Sequence, residues 1–464
     1  MGAGTRSSFG DRARGTRILA TGLVLAGLSL APIVHAEDVV VRGPHAPSGR
    51  PPSQPGMEGR TGVSAGIAVA VADAIGEDNS AEAIGGHGGA GGDAGSVLSP
   101  GDAPHAGGDG GTGGAASAES IVIDADRSVA IATGGTGGVH GRALVPDRAI
   151  DGTGGVGGAA VANARLASSL PSEHQYRWQM AEATAIGGRN GSGSYHRGGG
   201  AHAIAFAEAE RADQVFAEAT AEGAGAGVHA VATAINHAFP SSYATARAFA
   251  DGDVLSFVDS PIRAADVTAR AFARNEGPRA IRAEATAVSG MHYIEGNRAY
   301  YPSSHIERGE LSAEARGESA GGATVFAVAE VRAGPTLVPG RIEQVDAVSG
   351  STTGLLVLNQ RVRTFGMDAA TSLVAENEGG GDLQVQVSAL TALSGRGRGF
   401  SAHPRSRVGD VILGDVIGRS TTGADVTLTV GAGLGTAEGG DRTGTHPARA
   451  VRRSDRSDAQ PFSR

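Results

Sequence analysis

Strict two-residue alternation dominates the chain from Ala181 to about residue 436. In residues 201–209 alanine occupies every second position, and His, Ile, Phe and Glu stand between the alanines. The pentapeptide Ala-Glu-Ala-Thr-Ala occurs at 181–185, 217–221 and 283–287. A period of two places all the alanines on one face of a strand, whereas a helix would scatter them around its circumference. The pattern therefore predicts β-strands, although alanine by itself favours helix.

Turn-forming residues separate the alternating runs, whose centres lie about 11 to 16 residues apart over most of this region. Such regular spacing is typical of stacked repeats. The all-alanine face favours a thin solenoid, because a sandwich of about 10 Å thickness needs large interdigitating side chains. We therefore predict an all-β fold, a repetitive β-solenoid-like domain with an alanine-lined interior, and keep an antiparallel β-sandwich as the alternative. The inner residues become larger toward the C-terminus, as in Leu355–Leu358, so that end should be better packed.

Glycine forms Gly-Gly-x tracts upstream of this repeat, at 85–93, 134–138 and 154–158. Two glycines in three permit extended left-handed helices to pack backbone against backbone, as in polyglycine II. Disorder is the competing interpretation, although the strand-like runs 67–74 and 121–132 interrupt the glycine. We therefore expect a partly disordered glycine-rich region before the repeat domain.

Composition restricts the chemistry that the chain can perform. Its 464 residues include 76 Gly and 83 Ala, with no Cys and no Lys, so every one of the 39 basic residues is Arg. Disulfides, cysteine nucleophiles, Schiff-base lysines and the P-loop lysine are thereby excluded. The net charge of -9 argues against nucleic-acid binding, which requires a basic surface.

The N-terminus carries the pattern of an export signal. Arg12, Arg14 and Arg17 precede an apolar run from Ile18 to Ile33, and Val34-His35-Ala36 forms a small-x-small cleavage site. The run is short for a membrane span, so we predict cleavage after Ala36 and no transmembrane segment in the mature chain. The predicted organisation is a signal peptide at 1–36, a Pro-rich linker at 37–62, a Gly-rich region at 63–165, a connector at 166–180, the Ala-x-Ala repeat domain at 181–436 and a disordered Arg-rich tail at 437–464.

The Ala-x-Ala strands and Gly-Gly-x tracts of residues 63–436 resemble those of secreted bacterial glycine- and alanine-rich repeat proteins, the adhesin-like, surface and filament β-solenoid proteins. The Gly-Gly-Ala tracts are also similar to those of mycobacterial glycine-rich surface proteins, but the N-terminal helical module of that family is not apparent. The resemblance is one of composition. It implies a structural role at the cell surface or in the extracellular matrix, and no functional residue carries over from it.

Groups with chemical potential are dispersed. His196 and His202 lie near Tyr195, and His229 and His237 fall on adjacent turns or strands, but solvated loop histidines explain them better than a metal site. The hydroxyls of Gly350-Ser351-Thr352-Thr353-Gly354 superficially resemble a nucleophile elbow, yet no helix-forming stretch follows, so a turn is predicted. We predict no catalytic, cofactor-binding or metal-binding residues.

Acidic residues recur at equivalent repeat positions, as with Glu182, Glu218 and Glu284. A stacked ladder of like charges would be destabilising unless arginines interleave, and the arginines placed to do so are Arg211, Arg247, Arg270 and Arg282. Carbohydrate-active sites combine clustered acids with aromatic platforms, and the aromatic cluster apparent in the sequence is Tyr293, Tyr300 and Tyr301, near His292 and His305.

The function that these patterns favour is that of a secreted, non-enzymatic structural or adhesive protein of the cell surface or extracellular matrix. We expect it to self-associate through strand edges or repeat ends into fibres or layers, with contact to the cell surface or to glycans and without nucleic acid. The alternative is a carbohydrate-binding or carbohydrate-cleaving β-helix protein.

Overall fold

A computed structural model describes residues 38–49, 57–95, 105–143, 151–169, 178–191, 198–223, 227–237, 242–253, 266–290, 310–335, 341–365, 367–392, 410–420, 424–435 and 450–452. Within these ranges the secondary structure is all strand. The strands of the first half are β1 (Asp38–Arg42), β2 (Ala68–Ile75), β3 (Asn79–Ile84), β4 (Ala116–Ile123), β5 (Arg127–Thr133), β6 (Ala160–Ser168), β7 (Trp178–Ile186), β8 (Ala201–Ala209), β9 (Gln214–Gly223), β10 (Val228–Asn236) and β11 (Tyr243–Asp253).

The second half continues the series with strands of similar length. These are β12 (Val267–Asn275), β13 (Ile281–Gly290), β14 (Leu311–Ser319), β15 (Val325–Pro335), β16 (Arg341–Val345), β17 (Val348–Ser351), β18 (Leu356–Phe365), β19 (Asp368–Glu376), β20 (Leu383–Ala392), β21 (Val411–Arg419), β22 (Val426–Gly435) and β23 (Ala450–Arg452).

The chain winds between sheets, so that successive strands lie in different sheets and each strand pairs with an equivalent strand of the next coil. The first sheet has the order β1-β3-β5-β7-β9-β11-β13-β15-β18-β20-β22 and the second has the order β17-β14-β12-β10-β8-β6-β4-β2. A third sheet, β16-β19-β21-β23, follows near the C-terminal end. Every strand pair in the described residues is parallel, as for β7 with β9 and β10 with β12.

This architecture confirms the predicted all-β, repetitive β-solenoid-like fold, and it excludes the antiparallel β-sandwich. Strand pairing runs without a break from Asp38, in the segment predicted as a Pro-rich linker, through the glycine-rich region and into the Ala-x-Ala repeat. The coils therefore form one continuous series over the described residues.

Alanines line the interior, because alternation places one face of each strand inward. On β8 the five alanines from Ala201 to Ala209 are fully or almost fully buried, while His202 between them is exposed. In-register pairing stacks alanine on alanine, for example Ala205 on Ala232 and Ala232 on Ala271. Such small side chains allow the two sheets to approach closely, and each coil repeats the same contact. The interior side chains become larger toward the C-terminus, where Leu356, Leu358, Leu373 and Leu383 are fully buried.

Buried polar side chains close the turns between the sheets. Asn236 and Asn275 are paired in register at the ends of β10 and β12 and are fully buried. The Asn236 amide donates to the carbonyls of Ala212 and Tyr243, both at 3.0 Å, and Asn275 Oδ1 accepts from Ser242 Oγ at 2.7 Å. A buried asparagine with these bonds satisfies backbone groups that the turn would otherwise leave unpaired.

Candidate interaction surfaces

Glycine-rich segments extend sideways from the first coils and pack into a bundle of two layers. One layer continues from strands of the first sheet and contains residues 43–49, 85–95, 133–143 and 187–191. The other layer returns to strands of the second sheet and contains residues 57–66, 106–115, 151–159 and 198–200. We refer to these eight segments as the glycine bundle. It makes the glycine-rich region an ordered lateral extension of the solenoid in its described parts.

Hydrogen bonds recur at every third residue of the glycine bundle. Within a layer the segments are parallel, as shown by Gly85, Gly88 and Gly91, whose N–H groups donate to the carbonyls of Thr133, Thr136 and Val139 at 2.8–2.9 Å. Between layers they are antiparallel, since Gly86 donates to Gly66, Gly89 to Val63 and Gly92 to Arg60. A period of three with bonds only between neighbouring segments is the packing of polyglycine II-type helices.

Close backbone approach explains why two residues in three are glycine inside the bundle. A Cβ atom added at Gly135 would lie 1.8 Å from the Gly86 carbonyl oxygen, and one at Gly88 would lie 2.1 Å from that of Gly111. No side chain fits at those distances. The third residue of each triplet points outward, where Thr136 and Val139 are accommodated.

The first and last described segments of this layer depart from the glycine rule. Segment 43–49 has Pro44 and Pro47 at the positions equivalent to Gly86 and Gly89, whose N–H groups bond across to the opposite layer. Proline lacks an N–H group, so these two positions present no donor. Asn190, in the last segment of the same layer, occupies another position that is glycine in the inner segments. The sequence thus marks the edges of the bundle as well as its interior.

Aspartate side chains join successive coils at the turns. Asp78 Oδ1 accepts from the backbone N–H groups of Asp126 and Arg127 at 2.9 and 2.8 Å, about one coil further along the chain. Asp124 adopts a left-handed conformation with φ of 60° and accepts from Ser169 N at 2.8 Å. Aspartates that accept a backbone N–H of the following coil in this way are Asp78, Asp93, Asp109, Asp124, Asp266, Asp346, Asp368 and Asp382, of which Asp93 and Asp109 lie in the glycine bundle. Each stabilises coil stacking where no strand pairing is available.

The outer face of the first sheet carries a column of charged residues in register, in which two glutamates are neighbours and an arginine separates the next two. Glu182 pairs with Glu218, Glu218 with Arg247, and Arg247 with Glu284. Arg247 Nε lies 3.2 Å from Glu284 Oε2 and Arg282 also contacts this carboxylate, while Arg127 lies 2.9 Å from Glu182. On the second sheet, Arg270 lies 3.3 Å from Glu314. Arginines thus interleave with the repeated glutamates, and these exposed pairs stabilise the fold only weakly.

Glu330 is the exception, because its side chain is only 7% exposed. Arg332 donates two hydrogen bonds to it, at 2.8 and 2.9 Å, and Arg363 of the neighbouring strand lies 2.9 Å away. Burial by itself raises the pKa of Glu330, but the Arg332 hydrogen bonds and the charges of Arg332, Arg363 and Arg361 outweigh it and lower the pKa. The carboxylate therefore remains ionised and links two coils.

His237, just beyond the C-terminal end of β10, bridges two carboxylates that belong to the coils on either side of it. Its Nδ1 lies 3.0 Å from Glu276 Oε1 and its Nε2 lies 3.1 Å from Glu208 Oε1. Burial lowers the pKa of His237, but the hydrogen bonds to both glutamates and their charges outweigh it, so the pKa is raised above 6.5. The two glutamates stabilise the protonated imidazolium, because both ring nitrogens can then donate a hydrogen bond.

The other histidines named in the sequence analysis, and Thr352, form local contacts within the repeat where the structure describes them. His202 and His229 are paired on adjacent strands with their rings 5.8 Å apart, and burial together with the charge of His229 lowers the pKa of His202. Thr352 is fully buried and its hydroxyl donates to the Ala323 carbonyl at 2.6 Å, which is the bonding of a turn. His196, the tyrosines Tyr293, Tyr300 and Tyr301, and the neighbouring His292 and His305 lie outside the described residues.

The ends of the solenoid expose parts of its core. The apolar residues that pack against the buried core while remaining partly exposed are Val41, Leu413, Val416, Val426 and Leu428. All of them lie in β1, β21 or β22, which are terminal or next to terminal in their sheets. Val430 on β22 is 47% exposed, although its register partner Val387 is fully buried. Within the part of the chain that the structure describes, the interior is therefore closed along its length and incomplete at both ends.

The signals for several of these features were present in the sequence. An asparagine ends the alternating runs at Asn236 and Asn275, and prolines replace glycine at positions 44 and 47. Neither signal specifies its partners, which are separated by a whole coil. Trp178, Gln214 and Tyr243 also share one outward column on the first sheet, which the separate runs did not indicate.

Comparisons with known proteins leave the family open. No protein-family model matches the chain, and no curated protein matches it. Among solved structures, a springtail antifreeze protein from Granisotoma rainieri, a bundle of nine polyproline type II helices, is similar at 19% identity, with 35% of this chain and 92% of that chain covered. The TM-score is 0.08, so the similarity supports no inference about fold or function.

In the described residues, no group of three or more His, Asp or Glu side chains is arranged to hold a metal ion. The described part of the chain also contains no helix long and apolar enough to cross a membrane.

Proposed function

We propose that this chain is a secreted, non-enzymatic structural or adhesive protein of the cell surface or extracellular matrix. The observation that carries the proposal is the continuity of the fold, in which one core runs through all the described coils and is incomplete only at its ends. The stability of a repeat body of this kind accumulates coil by coil, which suits a structural role.

Two surface features support this role. The outer faces carry interleaved Arg and Glu, as along Glu218, Arg247 and Glu284, which keep broad flat sheets soluble. The glycine bundle adds a lateral plate whose backbone hydrogen bonds are made internally. Both features suit an extended particle outside the cell.

Export is tested by following the N-terminus in a bacterial host. We expect the chain in the extracellular or surface fraction, with Glu37 as its first residue. Ala36→Leu, which places a bulky residue at the cleavage site, should accumulate as uncleaved precursor. Retention of the unprocessed wild-type chain in the cytoplasm would contradict the proposal.

Carbohydrate binding is the second candidate function, and the outward column of Trp178, Gln214 and Tyr243 favours it. Trp178 is 47% exposed, and a flat aromatic ring beside an amide suits the apolar face and hydroxyls of a sugar. Trp178 is also the single tryptophan of the chain, so its fluorescence reports on this surface alone. Soluble glycans that bind there should change the emission of wild type but not that of Tyr243→Ala. An unchanged spectrum across a glycan panel would refute binding at this column.

A further inference from the structure

We propose that the protein polymerises head to tail, with β22 of one copy paired in parallel to β1 of the next copy. The partner is therefore a second copy of this chain, and the contact surface is formed by the two ends of the first sheet. This inference rests on the proposed structural function and specifies the surfaces and the polarity of the assembly.

The two ends have complementary cores. On β22 the inward residues are Val426, Leu428 and Val430, which lack a following strand of this sheet in the described residues. On β1 the inward residues are Val39 and Val41, and Val41 is only partly buried. Stacking the ends continues the same inward alternation across the junction, so these valines and Leu428 would cover one another. A head-to-head contact would instead require a change to antiparallel pairing.

The backbone donors also have the required directions. Inward-facing residues donate toward the following coil, as Ala68 does to Ala115 at 3.0 Å and Leu383 does to Asp425 at 2.8 Å. Gly43, just after β1, donates to Ile84 in the same sense at 2.7 Å. By alternation, the N–H groups of Val40 and Arg42 point away from β3. On β22 the N–H groups of the inward residues point away from β20.

The glycine bundle does not take part in this junction, so the pairing of β22 with β1 alone determines how the two copies align. Pro44 and Pro47 remove the donors that the first segment would present to another layer. Pairing is thereby restricted to β1, which contains no proline. The outward residues of β22, Thr427 and Thr429, are uncharged, so they do not repel Asp38 or Arg42 of the next copy.

The experiment uses the full mature chain beginning at Glu37, without a tag next to β1. Val40→Pro removes a donor only from the free side of β1, because Val40 does not donate to β3. Val430→Asp places a charge in the exposed core at the other end, and Thr429→Asp places the same charge on the outward face of the same strand as the control. Circular dichroism and thermal unfolding verify that each variant is folded.

Assembly is followed by sedimentation and electron microscopy. Wild type and Thr429→Asp should form filaments one molecule wide, whereas Val40→Pro and Val430→Asp should each raise the critical concentration about tenfold or more. Each of these variants retains one intact end, and the intact ends are opposite. An equimolar mixture of the two should therefore form a one-to-one dimer that does not elongate.

The possible failures have different meanings. Filaments that persist in both end variants would overturn the head-to-tail junction but leave a structural function standing. Dimers formed by Val430→Asp alone would indicate a head-to-head contact and also refute the proposal. A wild-type chain that stays monomeric at every concentration would refute it as well. Export can be normal in all these cases, so its test remains separate.

Discussion

A single methyl group at Gly135 should disrupt the centre of the glycine bundle. In Gly135→Ala the new Cβ would lie 1.8 Å from the Gly86 carbonyl oxygen, and ordinary contact begins near 3.4 Å. The two segments must therefore separate by about 1.6 Å. The hydrogen bonds that join these two segments on either side of the contact, from Gly85 to Thr133 at 2.8 Å and from Gly88 to Thr136 at 2.9 Å, cannot survive that displacement. Two lost bonds of about 1 kcal/mol each, together with strain of at least about 1 kcal/mol, predict a local destabilisation of about 3 kcal/mol.

Hydrogen exchange followed by mass spectrometry measures this effect segment by segment, which suits a repeat fold that need not unfold in one step. Protection should fall in residues 85–95 and 106–115 and remain in the distant strands β18 and β20. Gly431→Ala is the matched control, because the nearest atom to its added Cβ is 3.7 Å away. Equal protection of the bundle in both variants would refute the argument that backbone contact dictates glycine there.

Three further predictions concern the solenoid itself. Ala232→Leu on the inner face should destabilise the protein by about 1–3 kcal/mol in chemical denaturation, whereas Val231→Leu on the outer face should have little effect; equal effects would contradict the thin interior. Glu330 has a lowered pKa, so its contribution to stability is complete above pH 4.5 and is lost as the pH falls through its folded-state value; thermal unfolding of Glu330→Gln should therefore depend less on pH in that acidic range. His237 has a raised pKa, so its contribution is complete below pH 6.5 and is lost as the pH rises through the folded-state value; an identical alkaline decline in melting temperature for His237→Gln would refute this assignment.

The two-residue alternation was sufficient to predict strands with one inward face, because it places every second residue on the same side of a strand. The choice of solenoid over sandwich depended on alanine, whose volume suits a thin interior. Sequence could not reveal that the glycine tracts extend from the same coils as the strands. That arrangement depends on parallel partners such as Gly88 and Thr136, which are almost fifty residues apart and are selected by coil length.

Sites were harder to predict than the fold. Repeated glutamates such as Glu218 and Glu284 suggested the ladder with arginine, since equivalent positions in a repeat become neighbours. The bridge of His237 to Glu208 and Glu276 could not be derived, because it joins a turn to two different coils. The hydrogen bonds of aspartates such as Asp78 to the next coil could not be derived either, since a turn aspartate is favourable even without a partner in the next coil.

In the N-terminal coils, the two-residue period of the strands and the three-residue period of the glycine bundle together specify how successive coils align. Sliding one coil by two residues would keep every alanine inward in strands such as β3 and β5, so the strands alone specify their alignment poorly. The same slide would bring outward residues such as His87 into the places where the bundle has room only for glycine. The shortest displacement that satisfies a period of two and a period of three is six residues, which is the whole length of β3. A chain of low compositional complexity thus specifies a single alignment, and an insertion or deletion of two or three residues in these coils should be far more damaging than its size suggests.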